Sequence, residues 1–140
     1  MIEDIPAPPE GFIQSHNRGA FSTRNGPYFH RAVTPELNEQ AFFALPRHAN
    51  GIGLVHGGML SAFMDGLLAG SVGHASGLMA VTIHLSIDFL HMARVGDWVI
   101  GEAKMTRATK DVAFAEGRAH ARGVDVVRAS GVFKLMSRRA

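Results

Sequence analysis

The chain contains one long apolar segment that predicts a buried helix, and this single helix limits the folds open to it. Residues 58–72 are mostly apolar or small and include no proline, as expected of a helix packed on several sides. The segments after residue 80 alternate between apolar and polar residues, which predicts half-buried strands. One helix cannot cover both faces of a sheet. We therefore expect a sheet that curls around the helix and leaves its outer face or an edge for another subunit.

Six segments are predicted strands, two before the helix and four after it. They cover residues 28–33, 39–45, 81–89, 98–107, 112–122 and 126–136. The turns between the last four are short, which predicts an antiparallel meander. The last two strands carry alanine and glycine on one face, which would let a helix lie close to the sheet. The predicted fold class is therefore α+β.

Length and composition describe one ordinary domain preceded by an arm. The chain has 140 residues, of which 46% are apolar, so it can bury a real core. Residues 1–25 are rich in proline, glycine and polar groups and are predicted to form an N-terminal arm, with a short helix near residues 9–15. Residues 26–140 are predicted to form the main domain.

Charge and cysteine content exclude several functions. The formal net charge is only +2, without a long basic run, so we expect no nucleic-acid partner. The chain has no cysteine, which excludes disulfides, thiolate metal sites and a cysteine nucleophile. The N-terminus lacks a secretion signal pattern, and no apolar run reaches membrane-spanning length. We expect a cytoplasmic protein that does not bind membranes.

The entrance of the predicted helix holds the residues that suggest chemistry. Gly57 and Gly58 leave backbone amides uncovered at the positive end of the helix, where they can donate to a carbonyl oxygen that gains negative charge. Asp65 follows among apolar residues, and a carboxylate in such surroundings usually has a partner or a task. It could act as a general base on water or attack an acyl group directly. Asn50 can accept from and donate to a water molecule. Together these groups suffice for acyl transfer to water.

Helix geometry predicts that the site needs two chains. Asp65 lies eight residues after Gly57, which is roughly 12 Å along one helix axis. One acyl carbon cannot touch both groups on the same helix. Two antiparallel helices related by a two-fold axis would bring each Asp65 to the Gly57 amide of the other chain. The hypothesis is that the protein is at least a dimer.

A metal site is not expected. The histidines at positions 48, 56, 74, 84 and 91 lack the i, i+4 spacing of a helical zinc pair, and no thiol is present. Hydrolysis by the groups named above needs no metal or redox cofactor.

These residues resemble a known family. Asn50, followed six residues later by His56-Gly57-Gly58 and then by Asp65, resembles the PaaI-like (phenylacetic acid degradation type) hotdog-fold acyl-CoA thioesterases. Residues 81–97 are similar to the strand and turn that follow in that family, and the resemblance covers about residues 45–137. It implies a hotdog fold, an antiparallel sheet of five to six strands wrapped around one long central helix. It also implies homodimers that pair into homotetramers, with active sites at the dimer interface.

The resemblance also implies roles for individual residues. Asp65 would be the base or nucleophile, the Gly57 amide would bind the thioester carbonyl, and Asn50 would position water or the thioester. Thr82 falls where the family often has a serine or threonine near the catalytic carboxylate. His56 matches the motif histidine, whose expected role is to shape the turn.

The expected substrate is an acyl-CoA thioester, with coenzyme A entering only as part of it. Arg94, Arg107 and Lys110 lie at predicted strand ends or turns, where they could hold the phosphates of coenzyme A or form a solvated basic rim. Phe63 is a candidate for the acyl pocket, and Gly58 for the substrate contact beside Gly57. The sequence leaves open whether the acyl group is aromatic or a medium or long fatty chain.

Two other functions fit the same fold. A hydratase or dehydratase acting on acyl-CoA or acyl carrier protein would rely on a histidine with an acid, and here His56 precedes the predicted helix and no second histidine lies within it. A non-catalytic acyl-CoA-binding module would have no need of Asp65. Each residue also has a structural alternative: the glycines could serve only a tight turn, and Asp65 could be a structural acid.

Overall fold

The computed structural model describes residues 3–34 and 36–137. In this part of the chain the helices are α1 (Ala20–Asn25) and α2 (Gly57–Ser76), with a 3-10 turn at Pro46–His48. The strands are β1 (Ile13–Gln14), β2 (Tyr28–Ala32), β3 (Leu37–Phe43), β4 (Met79–Phe89), β5 (Trp98–Ala108), β6 (Val112–Ala121) and β7 (Val124–Met136). All six predicted strands are present, with boundaries shifted by at most two residues.

The strands form one antiparallel sheet in the order β1-β2-β3-β5-β6-β7-β4. The predicted α+β architecture of an antiparallel sheet around one long helix is confirmed. The sheet has seven strands because a two-residue strand, β1, adds to the edge of β2. The short helix predicted near residues 9–15 is wrong: β1 lies there, and the arm's helix α1 follows it.

Helix α2 packs into the concave face of the sheet. Its side chains Phe63, Met64, Leu67 and Leu68 are at most 1% exposed. Small residues occupy facing positions of β6 and β7, as predicted, and of β5, where the sequence pattern predicted none in particular. At Gly101, for example, an added Cβ would lie 2.6 Å from Leu67 Cδ2. Small residues on the sheet therefore allow the helix backbone to approach closely, because protein interiors leave no room for extra atoms.

A β-bulge at Ile83 changes which side chains of β4 face the helix. After the bulge, Leu85 and Ile87 pack against the core, as their alternation predicts. The pairing with β7 shifts at Ile83, so that Thr82 lies opposite the buried Phe133. Residues directly opposite each other in an antiparallel pair share a face of the sheet. Thr82 therefore faces α2. Strict alternation along the strand would instead have placed Val81 and Ile83 on that face.

The same bulge leaves apolar side chains of β4 in solvent. Met79 is 51% exposed, Val81 49% and Ile83 59%. The predicted half-buried apolar row is thus correct only for Leu85 and Ile87. Since β4 is also an edge strand of the sheet, this apolar row lies next to unpaired backbone groups, which is a common feature of surfaces that pair with another chain.

The outer face of the sheet carries paired charges. Arg118 contacts Glu102 at 3.0 Å and Asp125 at 3.4 Å, and Arg128 contacts Asp88 at 3.1 Å. Exposed ion pairs of this kind contribute little stability. They do make this face compatible with water, so the fold does not require a second layer there.

The N-terminal arm is fastened to the domain at both ends of α1. Before α1, the Arg18 guanidinium donates to Gln40 Oε1 at 3.1 Å and lies 4.5 Å from the centre of the Tyr28 ring. At the C-terminal end of α1, Arg47 donates to the carbonyl oxygens of Arg24 and Gly26. His48 Nε2 approaches the neighbouring Asn25 carbonyl oxygen at 2.6 Å. These bonds hold a six-residue helix that has no buried residue of its own.

His48 makes the attachment of the arm sensitive to acid. Its Nδ1 accepts a hydrogen bond from the Leu45 amide at 3.0 Å, so the ring is neutral and its Nε2 carries the proton that Asn25 accepts. Burial lowers the pKa of His48, and hydrogen bonding to the Asn25 carbonyl opposes this shift. The unfolded chain therefore takes up a proton first as the pH falls.

We expect the free energy of unfolding to fall as the pH drops below about 6.5, the ordinary histidine pKa, because the unfolded state binds the proton more tightly. The loss continues until the lowered pKa of the folded state is reached. Thermal unfolding followed by circular dichroism at pH 7.5 and 5.5 measures this loss of stability. His48→Gln should show a smaller difference between the two pH values. Equal differences for the two proteins would contradict this assignment.

Candidate active site at the entrance of helix α2

His56 caps helix α2 and uses up most of its free amides. His56 Nδ1 accepts from the Gly58 amide at 2.7 Å, and the His56 carbonyl oxygen accepts from the Met59 and Leu60 amides at 2.9 and 3.1 Å. The first-turn amide of Gly57 has no hydrogen-bond partner among residues 3–34 and 36–137. The helix entrance therefore offers one free donor, Gly57 N–H, at its positive end.

The prediction that both glycines present free amides does not hold for Gly58. Its amide belongs to the His56 cap. An added Cβ at position 58 would lie 2.9 Å from His56 Nδ1, so glycine is needed here for the ring to reach the amide. The role that the structure gives Gly58 is to accommodate the cap.

We expect His56→Ala to lower stability by about 1 kcal/mol, the usual value of a lost N-cap, which corresponds to a decrease of about 2–8 °C in Tm. His56→Ser restores a capping oxygen and should return Tm close to that of the wild type. If His56 only shapes the turn, His56→Ser also restores turnover. A serine variant with normal Tm but turnover reduced a hundredfold would instead assign proton transfer to the ring.

Asp65 lies half-buried on α2, facing β4. The Thr82 hydroxyl donates to Asp65 Oδ1 at 2.5 Å. The second carboxylate oxygen has no hydrogen-bond partner in the part of the chain that the structure describes. A hydroxyl that holds one oxygen fixes the plane of the carboxylate and leaves the other oxygen available, which is the arrangement that a general base or a nucleophile needs.

Phe89, at the other end of β4, lies beside Gly57. An added Cβ at Gly57 would be 3.6 Å from the tip of the Phe89 ring, and the ring is 55% exposed. The free amide and the carboxylate thus flank two different positions of one strand: Gly57 is next to Phe89, and Asp65 is next to Thr82. The sequence gives no functional signal for Phe89, because an aromatic residue in a strand normally predicts only core packing.

Asn50 holds the loop before α2. Its Oδ1 accepts from the amides of Ile52 and Leu54 at 3.0 and 3.1 Å. Its amide nitrogen has no hydrogen-bond partner in the described ranges. With its acceptor side engaged, Asn50 can offer a ligand only N–H donors, which narrows the prediction that it both accepts from and donates to a water molecule.

Phe63 lies in the core. It is 1% exposed, stacks on Tyr28 with ring centres 6.2 Å apart, and meets Phe42 edge-on at 4.9 Å. Its side chain faces the sheet and is not accessible to a ligand. This placement corrects the assignment of Phe63 to the acyl pocket.

The three candidate phosphate-binding residues do not come together in one protomer. Arg94 is near the helix entrance, because Leu54 pairs with it in an isolated bridge. Arg107 and Lys110 lie at the far end of β5, which is roughly 35 Å long for its eleven residues. All three are exposed. A site that uses all of them would need more than one chain.

No group of three or more metal-binding side chains occurs in the ranges that the structure describes. Within those same ranges, neither helix has the length and hydropathy needed to span a bilayer.

Comparison with known proteins assigns this arrangement to a family. The sequence model of the Thioesterase superfamily matches residues 52–127. A curated protein of Pseudomonas aeruginosa strain PAO1, provisionally named an esterase, is 35% identical over 129 residues that cover 91% of this chain and 96% of the relative. The chain belongs to the thioesterase superfamily.

Solved structures agree with this assignment. A phenylacetic acid degradation-related protein of Ralstonia eutropha JMP134, provisionally a thioesterase, superposes with a TM-score of 0.69 at 28% identity, covering 75% of this chain and 82% of the other. A hypothetical thioesterase of Streptococcus pneumoniae TIGR4, solved with coenzyme A, superposes with a TM-score of 0.74 at 19% identity over 81% and 88%. The predicted resemblance to PaaI-like hotdog thioesterases is confirmed.

Proposed function

We propose that the protein hydrolyses an acyl-CoA thioester to the free acid and coenzyme A. The observation that carries the proposal is the pair of groups along β4: a free helix amide at Gly57 and a carboxylate, Asp65, oriented by Thr82. Family membership supports a hydrolase, and the coenzyme A bound to the S. pneumoniae neighbour supports a CoA thioester as the substrate.

In the proposed reaction the Gly57 amide donates to the thioester carbonyl oxygen and stabilises the negative charge that develops there. Asp65 either takes a proton from the attacking water or attacks the carbonyl carbon itself. The carbon–sulfur bond breaks, coenzyme A leaves as the thiol, and the acyl group gains one oxygen atom from water. The Asn50 amide is a further donor toward the water or the thioester.

The two groups act in one site only if two protomers contribute. We propose that β4 pairs with the same strand of a second copy, antiparallel about a two-fold axis at Ser86, with the bulge at Ile83 skipping one residue of the pairing. In that register Thr82 lies opposite the partner subunit's Phe89. Since Asp65 is next to Thr82 and Gly57 is next to Phe89, the pairing brings Asp65 toward the partner subunit's Gly57. The exposed apolar row and unpaired edge of β4 support this interface.

We expect Val81→Lys to weaken the dimer, because a charge on this edge opposes strand pairing. Turnover per chain should fall by at least about tenfold at assay concentration as monomer accumulates. Sedimentation velocity run beside the activity assay measures both quantities. Val124→Lys, at a residue 43% exposed in another part of the sheet, is the matched control. A monomer with full activity would exclude the shared site.

A thiol-release assay over a panel of acyl-CoAs tests the reaction itself. Release of free thiol with the matching acid is expected, and an enoyl-CoA that gains water without releasing thiol would indicate a hydratase. The position of His56 argues against a hydratase, since its Nδ1 is engaged in the helix cap. The homotetramer and the cytoplasmic location stay predictions.

Turnover in ¹⁸O-labelled water tests whether Asp65 attacks the thioester. If Asp65 attacks, a mixed anhydride forms, and water that opens it at the protein carbonyl leaves ¹⁸O in the Asp65 side chain. A general base, or an anhydride that water opens at the substrate's acyl carbon, puts the label only in the product acid. Label that mass spectrometry finds in the Asp65 peptide therefore establishes attack by Asp65.

A further inference from the structure

The N-terminal arm encloses a cavity beside the entrance of α2. Its volume is about 320 Å³. Phe21 of α1 lines one side, and Met59 and Ala62 of α2 line the other. His56 and Gly58, the two neighbours of Gly57 in the chain, also border the cavity. The space therefore lies next to the proposed position of the thioester carbonyl and is closed on one side by the arm.

We propose that this cavity receives the acyl group and that Phe21 determines which acyl groups are accepted. The inference rests on the proposed thioesterase function and adds to it a role for the arm. The acyl groups it favours are compact ones. A volume of 320 Å³ holds about ten non-hydrogen atoms when each takes the roughly 30 Å³ of a liquid water molecule, and it is at the small end of the usual range for ligand pockets.

The lining combines apolar side chains with the polar Asn25, Arg47 and His48, and its apolar part fits the apolar portion of a guest. Phe21, Met59 and Ala62 provide an aromatic ring, a thioether and a methyl group. Near the helix entrance the His56 ring adds a polar edge: its Nδ1 accepts from Gly58, so its Nε2 carries a proton, and that N–H has no partner among the described residues. An acyl group with a hydrogen-bond acceptor could use this donor, while a plain alkyl chain would leave it to water.

Phe21 does not serve the fold. Its side chain is 72% exposed, and α1 buries none of its residues. The helix that carries the ring is nevertheless held in place, since Arg18 holds the chain before α1 and Arg47 binds the carbonyl oxygens at its end. A large apolar side chain that is held in place but not buried is what a ligand-contacting wall requires.

The test compares Phe21→Ala with the wild type on hexanoyl-CoA and palmitoyl-CoA. The wild type should prefer hexanoyl-CoA. The variant should lose this preference by about tenfold in the ratio of kcat/KM values, the usual effect of changing one apolar contact in a pocket. Phe114→Ala removes a ring of β6 that is 37% exposed and is the matched control. An unchanged ratio in Phe21→Ala, or an equal change in the control, would overturn the proposal.

A second measurement does not depend on turnover. Because the chain has no cysteine, Phe21→Cys places a single thiol in the cavity wall. The non-hydrolysable thioether S-hexyl-CoA should slow its alkylation, whereas S-methyl-CoA, which has neither an acyl chain nor a free thiol, should not. Phe114→Cys should react equally in all samples. Equal protection by S-methyl-CoA would show that the cavity holds another part of the ligand, and no protection would show that it is empty.

The two measurements distinguish this inference from the proposed function. If no acyl-CoA releases thiol but the thioether protects Phe21→Cys, the cavity binds acyl groups and the hydrolase proposal fails. If thiol is released but neither measurement depends on Phe21, hydrolysis stands and the role of the arm fails.

Discussion

Replacement of Asp65 by asparagine is expected to lower kcat by a factor of about 10² to 10⁴, the range that a positioned general base contributes. Asparagine has nearly the same shape as aspartate, and its side-chain oxygen can still accept from the Thr82 hydroxyl. The variant should therefore fold, dimerise and bind acyl-CoA. What it loses is the negative charge that takes a proton or attacks the carbonyl carbon. Steady-state thiol release and sedimentation velocity measure the two effects.

Asp88→Asn is the matched control for this experiment. Asp88 is also a carboxylate near β7, 61% exposed in its side chain and paired with Arg128 at 3.1 Å. Loss of an exposed ion pair changes stability little, and its turnover should stay within about twofold of the wild type. An Asp65→Asn variant that keeps more than about a tenth of wild-type kcat would exclude a catalytic role for Asp65.

The period of the apolar residues predicted most of the fold. The absence of proline and the run of apolar and small residues located α2, and the period-two segments located the four strands after it. The alanines and glycines of β6 and β7 predicted the close approach of the helix. These features depend on local sequence and on burial, which leave a regular pattern in the chain.

The bulge in β4 could not be predicted in this way. Apolar and polar residues alternate without a break through residues 81–89, yet the pairing shifts at Ile83. The shift depends on contacts with β7 and α2, which are distant in sequence, and it turns Thr82 toward Asp65. Thr82 and Asp65 therefore meet at the position where the alternation of β4 predicts the wrong face of the sheet.

The arm was equally hard to predict. Arg18, Arg47 and His48 fix α1 through bonds to Gln40 and to backbone carbonyls more than twenty residues away. The local conformational propensities of the residues give no sign of such bonds, because each bond joins a side chain to a partner that is distant in the sequence. His56 is a local case: its ring accepts from the Gly58 amide two residues later, so Gly57 keeps a free amide and Gly58 does not.

The role of the free Gly57 amide can be tested by a substitution that removes its N–H group. Gly57→Pro removes the N–H group and is expected to lower kcat by about 10²- to 10³-fold, the effect of losing one oxyanion-hole donor. Position 57 is the first residue of α2, where proline is well tolerated because this amide makes no helical hydrogen bond. His56, with φ −63° and ψ 139°, already has the extended conformation that a following proline requires.

Gly57→Ala is the control that makes the loss interpretable. It adds a Cβ at the same place, in ordinary contact with Phe89 at 3.6 Å, and it keeps the amide. Alanine should therefore retain turnover within a few-fold of the wild type, while proline should not, and both variants should unfold near the wild-type Tm. If proline and alanine lower kcat equally, the added carbon atoms are responsible and the Gly57 amide does not bind the carbonyl oxygen. A gap of two orders of magnitude between them would assign the transition-state charge to this N–H group.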